Sequence, residues 1–226
     1  MPSPHAVFLF AGGPGSAAGS YAEVLRRIYS QTGSRKPRIA YVGAATDDNP
    51  RFFSMMSTLL QGAGACEIEL VPLAKGGNVR TARAVIESSD LVFFGGGDVE
   101  LGMKRLHERD IISALSAAHA AGTPFAGISA GAIMLGRQWV RWSDPDDDAS
   151  AELFDCLGLA GVICDTHGED DDWQELRRAL ALAGGSPGYG IRTGAAMRAV
   201  GQTVEVLAGQ IDILRPNQPH RRGRSA

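Results

Sequence analysis

The chain has few cysteines, no long apolar run and no large excess of either charge. Its three cysteines, Cys66, Cys156 and Cys164, lack the spacing of metal ligands and lie in or beside apolar runs, so we expect reduced packing residues and neither a metal nor another cofactor. No stretch is long enough to cross a bilayer, and the first residues do not form a signal peptide, which predicts a cytoplasmic protein. The net charge of −3 gives no reason to expect nucleic acid or a membrane as a partner.

The apolar content is sufficient for one good core. Hydrophobic residues make up 44% of the 226 residues, and we predict a single domain over residues 1–215. Residues 216–226 are rich in arginine, proline and glycine, which predicts a basic, disordered tail.

Strand and helix patterns alternate along the chain. This alternation predicts an α/β fold with three α/β/α layers, in which helices cover both faces of a largely parallel sheet and an antiparallel hairpin lies at one edge. Strands are predicted at 6–11, 38–43, 68–73, 90–94, 123–128, 161–165, 195–199, 203–208 and 210–214. Helices are predicted at 21–31, 50–62, 80–88, 130–135 and 173–183, with one or two more over 99–121.

The segment Gly127-Ile128-Ser129-Ala130-Gly131 is typical of a nucleophile elbow. A serine at a tight turn between strand and helix projects its hydroxyl into a cleft, and the flanking glycines allow the backbone to turn sharply. The amide of Ala130 would then face the carbonyl oxygen of a substrate. The alternative is a simple turn with an unreactive serine.

Two further segments support the elbow. The apolar run at 91–94 leads into Gly95, Gly96 and Gly97, whose amides can approach a ligand closely and so suit an oxyanion hole, although the loop could also be a plain turn. The apolar run at 161–165 leads to His167, and a histidine at the end of a central strand suits a general base for Ser129.

These three segments, in this order, resemble the serine peptidases that include dipeptidase E and cyanophycinase, whose fold is similar to class I glutamine amidotransferases. The resemblance covers nearly the whole chain. It implies that Ser129 is the nucleophile and His167 its base, with an oxyanion hole from the amides of Gly96 or Gly97 and Ala130. It also implies a homodimer that acts on short peptides, with Asp98 after the glycines as a residue that binds substrate.

The third member of the triad departs from this family, which has a glutamate late in the chain where this sequence has Thr193. A hydroxyl can accept a hydrogen bond from imidazole but cannot stabilise the imidazolium as a carboxylate does. We expect Asp144 to replace the glutamate, with Asp165 as the second candidate because it would share a face with His167 on an extended strand. Both aspartates could instead belong to solvated loops.

The loop after His167 is acidic where the dipeptidases have a basic residue for an aspartyl side chain. Glu169 and Asp170, with the two aspartates that follow, are predicted to border the cleft and repel a carboxylate, and Trp173 to offer a flat apolar surface. The substrate is therefore expected to be a short peptide or other small molecule without an N-terminal aspartate. The same acids could instead form a solvated run before the helix at 173–183.

Two other functions remain open at this stage. An α/β-hydrolase esterase shares the elbow and the chain order of the triad, and a binding protein could retain the cleft after losing the acid. An amidotransferase that hydrolyses glutamine is disfavoured, because its elbow nucleophile is a cysteine and this chain has Ser129.

Overall fold

The computed structural model describes residues 5–12, 18–65 and 67–216. The strands are β1 (Val7–Phe10), β2 (Arg38–Val42), β3 (Glu67–Val71), β4 (Leu91–Phe94), β5 (Phe125–Ile128), β6 (Gln138–Trp142), β7 (Ala151–Asp155), β8 (Ile163–Thr166), β9 (Gly188–Ile191), β10 (Ala196–Val200), β11 (Thr203–Ala208) and β12 (Ile211–Leu214). The α-helices are α1 (Ala18–Tyr29), α2 (Pro50–Gly62), α3 (Val79–Glu87), α4 (Val99–Glu108), α5 (Ile112–Ala120), α6 (Ala130–Leu135) and α7 (Gln174–Ala183). The predicted tail, apart from Pro216, and Cys66 lie outside the described residues.

The central sheet has the strand order β11-β10-β1-β5-β4-β2-β3. The five strands from β1 to β3 in this order pair in parallel, whereas β10 is antiparallel to both β1 and β11. This topology confirms the predicted α/β fold with a largely parallel sheet and an antiparallel hairpin at one edge.

Both faces of the sheet are covered, because its inner strands are buried along their whole length. Strands β1, β4 and β5 are four-residue apolar runs without an exposed position, as expected when helices lie on both sides. Alternate side chains enter different cores. One face packs against α1 and α2 through Phe8, Phe10, Ile39, Tyr41, Leu25 and Leu60, and the other against α3 to α6 through Leu9, Val42, Phe94, Ile86, Leu106 and Met134.

The remaining strands form two smaller sheets, and here the sequence-based prediction was wrong. The strand expected near 161–165 is β8, which pairs with β9 in a separate sheet of order β12-β9-β8 and is not a central strand. Strands β6 and β7 form an antiparallel hairpin that was not predicted. Together with α7 these strands enclose a third apolar core that includes Ile163, Leu176 and Leu214.

Two glycines explain why β9 was missed. Glycine is depleted in strands, so Gly188 and Gly190 obscure the pattern. Both are required by close packing: a Cβ at Gly188 would lie 2.9 Å from Leu180, and one at Gly190 would lie 2.5 Å from the Trp173 indole. The glycines thus allow α7 and the residue before it to pack directly on the small sheet.

Within the described residues, none of the helices has the length and apolar character needed to span a membrane.

Candidate active site

Ser129 stands between β5 and α6 in a conformation that few residues other than glycine adopt. Its φ is 55° and its ψ is −125°. Its amide donates to the carbonyl of Phe10 over 3.0 Å, and its carbonyl accepts from the Ala132 amide at 2.8 Å. A Cβ at Gly127 would collide with the carbonyl of Gly131, so the helix can begin directly against the strand only because position 127 is glycine. Such backbone strain costs about 1–3 kcal/mol and is maintained here by the surrounding structure.

The glycine loop after β4 lies beside Ser129. A Cβ at Gly96 would lie 3.1 Å from the Cβ of Ser129 and 3.7 Å from its Oγ, so a side chain there would crowd the serine. Gly97 has a φ of 140°, and a side chain at this position would collide with the carbonyl of Ala45. Among the described residues, no backbone carbonyl accepts a hydrogen bond from the amides of Gly96, Gly97 or Ala130. These amides are therefore available to a substrate oxygen.

Asp98 follows these glycines and forms the N-cap of α4. Its Oδ1 accepts the amide of Leu101 over 2.8 Å, and its own amide donates to the Ala45 carbonyl over 2.8 Å. The carboxylate thus stabilises the start of the helix, and the backbone amide ties the end of the glycine loop to Ala45. Its role in binding substrate stays a prediction.

His167 follows β8 directly and has a φ of 67°. Its amide approaches the carbonyl of Ile191 at 3.4 Å, which ties the turn to the end of β9. The ring Nδ1 lies 3.0 Å from the Oγ1 of Thr193. Partial burial lowers the pKa of the imidazole, and the charge of Glu169 opposes this effect only in part. The lowered pKa favours the neutral form of the ring at neutral pH.

The expectation that Asp144 orients His167 is contradicted by this geometry, since the Nδ1 partner is Thr193. Asp144 lies in the turn of the β6–β7 hairpin, where it is exposed and its Oδ1 accepts the amide of Asp146 over 3.0 Å. The physical reason for the error is the hairpin itself, which the sequence analysis did not predict and which directs this aspartate into its own turn.

Asp165, the second candidate acid, also accepts a hydrogen bond from a group other than His167. It is 5% exposed, and its Oδ1 accepts the amide of Thr166 over 2.6 Å. The expectation of a shared face assumed that an extended strand continues to His167, but the strand ends at Thr166 and the positive φ of the histidine turns the chain away. Burial raises the pKa of Asp165 to about 7.

Glu169, predicted as a residue that borders the cleft, binds the residue that replaces the family's glutamate. Its Oε1 accepts the amide of Thr193 over 3.0 Å. Sequence reasoning named both residues but missed their contact. The signal that could have indicated it is an acid two residues after His167, combined with a hydroxyl at position 193.

The other acids of this loop hold the loop together. Asp171 accepts the amide of Trp173 over 3.0 Å just before α7, and Asp172 pairs with Arg177 over 3.1 Å. Asp170 is exposed.

Trp173 was expected to offer a surface to substrate, and this was wrong. Its side chain is 3% exposed, and its Nε1 donates to Asp212 over 3.0 Å. The indole is buried because the residue adopts a left-handed conformation before α7 and packs onto Gly190 and Gly168. It supports the fold of the small sheet and does not line the cleft.

The side chains available to a metal are dispersed. Over residues 5–12, 18–65 and 67–216, no three histidine, cysteine or acidic side chains come together in a group that could hold an ion. Cys156 and Cys164 are free thiols, and burial raises the pKa of Cys156 to about 12.

A strained serine, an adjacent glycine loop and a histidine are features that serine hydrolases use. The sequence profile of peptidase family S51 matches residues 7–207, and the chain belongs to this family. It is a serine peptidase of the dipeptidase E type.

Relatives in sequence and structure agree with this assignment. The chain is 29% identical over 174 residues to Peptidase E of Actinobacillus pleuropneumoniae serotype 7 (strain AP76), which covers 73% of this chain and 72% of the relative. It is 29% identical over 139 residues to Peptidase E of Pasteurella multocida (strain Pm70), with 58% of each chain covered. The fold is similar to the crystal structure of a peptidase from an acI-B1 Actinobacterium, with a TM-score of 0.69, 16% identity and 96% of both chains covered. It is also similar to a putative Peptidase E protein from Listeria monocytogenes EGD-e, with a TM-score of 0.64, 13% identity, and 91% of this chain and 99% of that chain covered.

Proposed function

We propose that this peptidase cleaves short peptides with Ser129 as nucleophile and His167 as general base. The observation that carries the proposal is the conformation of Ser129, a non-glycine residue with a φ of 55° whose Cβ lies beside Gly96. Strained residues of this kind cluster at reactive sites, where the surrounding structure enforces a conformation that the chemistry needs.

The histidine is suited to the role of base. Its Nδ1 faces the Thr193 hydroxyl, so the tautomer with the proton on Nδ1 leaves the Nε2 lone pair for the hydroxyl of Ser129. As the Ser129 Oγ attacks the peptide carbonyl carbon, Nε2 accepts its proton. The imidazolium then gives this proton to the departing amine, and a water molecule activated by the same nitrogen hydrolyses the acyl-enzyme.

The negative oxygen of the tetrahedral intermediate needs hydrogen-bond donors that are already oriented. The amide of Ala130 and that of Gly96 or Gly97 are proposed as these donors. Support comes from their lack of backbone acceptors among the described residues and from the contact of Gly96 with the nucleophile. Loss of one such donor typically lowers kcat by about 10²–10³-fold.

The charges near the histidine argue against an N-terminal aspartate as the preferred residue of the substrate. The two nearby guanidinium groups are paired, Arg177 with Asp172 at 3.1 Å and Arg192 with Asp212 at 2.8 Å. Asp170, three residues after His167, is exposed, and an exposed acid near the cleft would repel a carboxylate by about 1 kcal/mol. The proposed substrates are therefore short peptides with a free amino group and a neutral or cationic first residue.

A dipeptide panel tests this specificity. We expect kcat/KM to be higher for Arg-Leu and Ala-Leu than for Asp-Leu, and the advantage of Arg-Leu to fall as salt is added, because salt screens exposed charges. N-acetyl-Ala-Leu should be a poor substrate. Fastest cleavage of Asp-Leu would contradict the proposal.

Ser129→Ala serves as the control in this panel, since it must abolish cleavage of every peptide. A p-nitrophenyl ester distinguishes the esterase alternative, which would require faster turnover of the ester than of any peptide. The homodimer and the cytoplasmic location stay predictions.

A further inference from the structure

The proposed mechanism leaves the positive charge on His167 without a carboxylate in direct contact. The ring Nδ1 lies 3.0 Å from Thr193 Oγ1, and a hydroxyl carries no charge. A serine peptidase site normally has an acid here, because the imidazolium that forms during attack must be stabilised and the ring must be oriented.

Glu169 lies on the other side of this threonine. Its Oε1 accepts the Thr193 amide over 3.0 Å. Its Oε2 is buried and accepts no hydrogen bond from the described residues, so this oxygen has an acceptor site left for the Thr193 hydroxyl. Burial raises the pKa of Glu169, but the interactions with Thr193 and the charge of His167 outweigh this effect and lower the pKa below its ordinary value. The carboxylate is therefore ionised at neutral pH.

We propose that Glu169 is a positioning residue for His167 and that it acts through the hydroxyl of Thr193. The inference rests on the proposed roles of Ser129 and His167 and deepens them. In this proposal Glu169 supplies the negative charge that the family's late glutamate would supply.

The hydrogen bonds of His167, Thr193 and Glu169 can form one chain in which each donor has an acceptor. A hydroxyl has one donor and two acceptor sites, so Thr193 can accept from the Nδ1–H of His167 and donate to Glu169. No proton is transferred along this chain: Nδ1 keeps its proton, Thr193 keeps its own, and only Nε2 gains and loses one during the reaction. The charge of Glu169 polarises the threonine hydroxyl, which orients the imidazole and stabilises its cation.

Other charged groups lie near Glu169 and also influence the pH dependence of labelling. Arg192 lies close enough to interact with Glu169, but its guanidinium is bonded to Asp212 over 2.8 Å. Asp165 also interacts with Glu169 from β8. Among the described residues, neither Arg192 nor Asp165 is hydrogen-bonded to the imidazole. Replacing Glu169 therefore removes the charge that is linked to the ring through Thr193.

The test is the rate at which a fluorophosphonate labels Ser129, measured across pH. A carboxylate raises the pKa of a nearby imidazole, so Glu169→Gln should move the acid limb of the profile to lower pH by about one unit. The limiting rate should fall by about 10-fold to 100-fold because the base is less well oriented. Thr193→Val should have the same effect, and the double variant should label no more slowly than Thr193→Val alone.

Thr193→Ser restores the hydroxyl that Thr193→Val lacks, so it should label faster than Thr193→Val and recover the position of the acid limb. Asp146→Asn is the matched control, because it removes one negative charge from an exposed position in the β6–β7 turn and should leave the profile unchanged. Thermal unfolding of each variant shows whether it is folded. If Glu169→Gln does not fold, the comparison of Thr193→Val with Thr193→Ser tests the inference instead.

A wild-type rate and acid limb in Glu169→Gln, or identical profiles for Thr193→Val and Thr193→Ser, would overturn the inference. This failure is distinguishable from failure of the proposed function. If Ser129 is labelled and labelling requires His167 but not Glu169, only the inference falls. If Ser129 is not labelled in the wild type, the proposed function falls.

Discussion

The two halves of the proposed site, named here for the proposed nucleophile and for the histidine, are built by different means. The nucleophile half consists of Ser129 and the glycine loop, and it is fixed by backbone turns on the central sheet. The histidine half consists of His167, Thr193 and Glu169, and it is fixed by side-chain hydrogen bonds on the small sheet of β8, β9 and β12. The first half matches its sequence motifs residue by residue, whereas the second has lost the acid that the family resemblance implies.

This difference shows which part of such a site can change. The elbow tolerates little variation, because added atoms at Gly127 or Gly96 meet backbone or the nucleophile itself. A hydrogen-bonded chain of side chains has more freedom, since a hydroxyl and a carboxylate on different segments can together replace one longer acid. We therefore expect substitutions in the two halves to have effects of different kinds.

Among substitutions that leave Ser129 and His167 in place, the largest effect is expected from Gly96→Ala. The new Cβ would lie 3.1 Å from the Cβ of Ser129 and crowd the path of a substrate carbonyl. We expect kcat to fall by about 10²-fold or more, since small displacements of reacting groups have effects of this size. Steady-state kinetics on the best dipeptide of the panel provide the measurement.

Gly62→Ala is the matched control, because a Cβ at that end of α2 would have open space around it. It should leave kcat unchanged. Equal activity of the two variants would contradict the view that the nucleophile half is fixed by backbone contacts.

The next effect concerns stability and its dependence on pH in the histidine half. Burial raises the pKa of Asp165 to about 7, so the folded protein holds this proton more tightly than the unfolded chain does. The group therefore reduces stability as pH rises from about 4 to about 7, and the full loss is present above that range. Asp165→Asn removes this loss. Its free energy of unfolding should exceed that of the wild type by up to about 4 kcal/mol at pH 8 and by almost nothing at pH 4.

Chemical denaturation at several pH values measures this gain, and the peptidase rate of the same variant completes the comparison. Because Asp165 Oδ1 accepts the Thr166 amide and not an imidazole proton, the rate should change by less than about tenfold. A loss of activity like that of His167→Ala would instead assign the missing acid to Asp165.

The smallest effect is the difference in stability expected between two replacements of the strained serine. Ser129→Ala keeps a Cβ at a φ of 55°, whereas Ser129→Gly relieves the strain. Both variants should be inactive, but we expect Ser129→Gly to be about 1 kcal/mol more stable than Ser129→Ala. Equal or lower stability of the glycine variant in thermal unfolding would show that the elbow stores no strain.

The sequence predicted the elbow, the glycine loop and His167 because each follows a buried apolar run, and the ends of such strands carry the reactive groups. The contact between Glu169 and Thr193 could not be predicted in the same way, since the two residues are 24 positions apart and meet only through the pairing of β8 with β9. The hairpin that directs Asp144 away was missed for a related reason, because β6 and β7 stabilise each other across a long turn.

Trp173 shows a further limit of sequence reasoning. An aromatic residue after a run of acids is typical of an exposed loop, but a left-handed turn directs this indole into the third core. Its environment depends on Gly168 and Gly190, which give no signal in sequence of the side chain that they accommodate.

The most direct test of the account is fluorophosphonate labelling followed by mapping of the modified peptide. The account predicts one label on Ser129 in the wild-type protein, and a labelling rate at least about 10³-fold lower in His167→Ala, because the hydroxyl loses its base. A label on another residue, or an unchanged rate in His167→Ala, would contradict it.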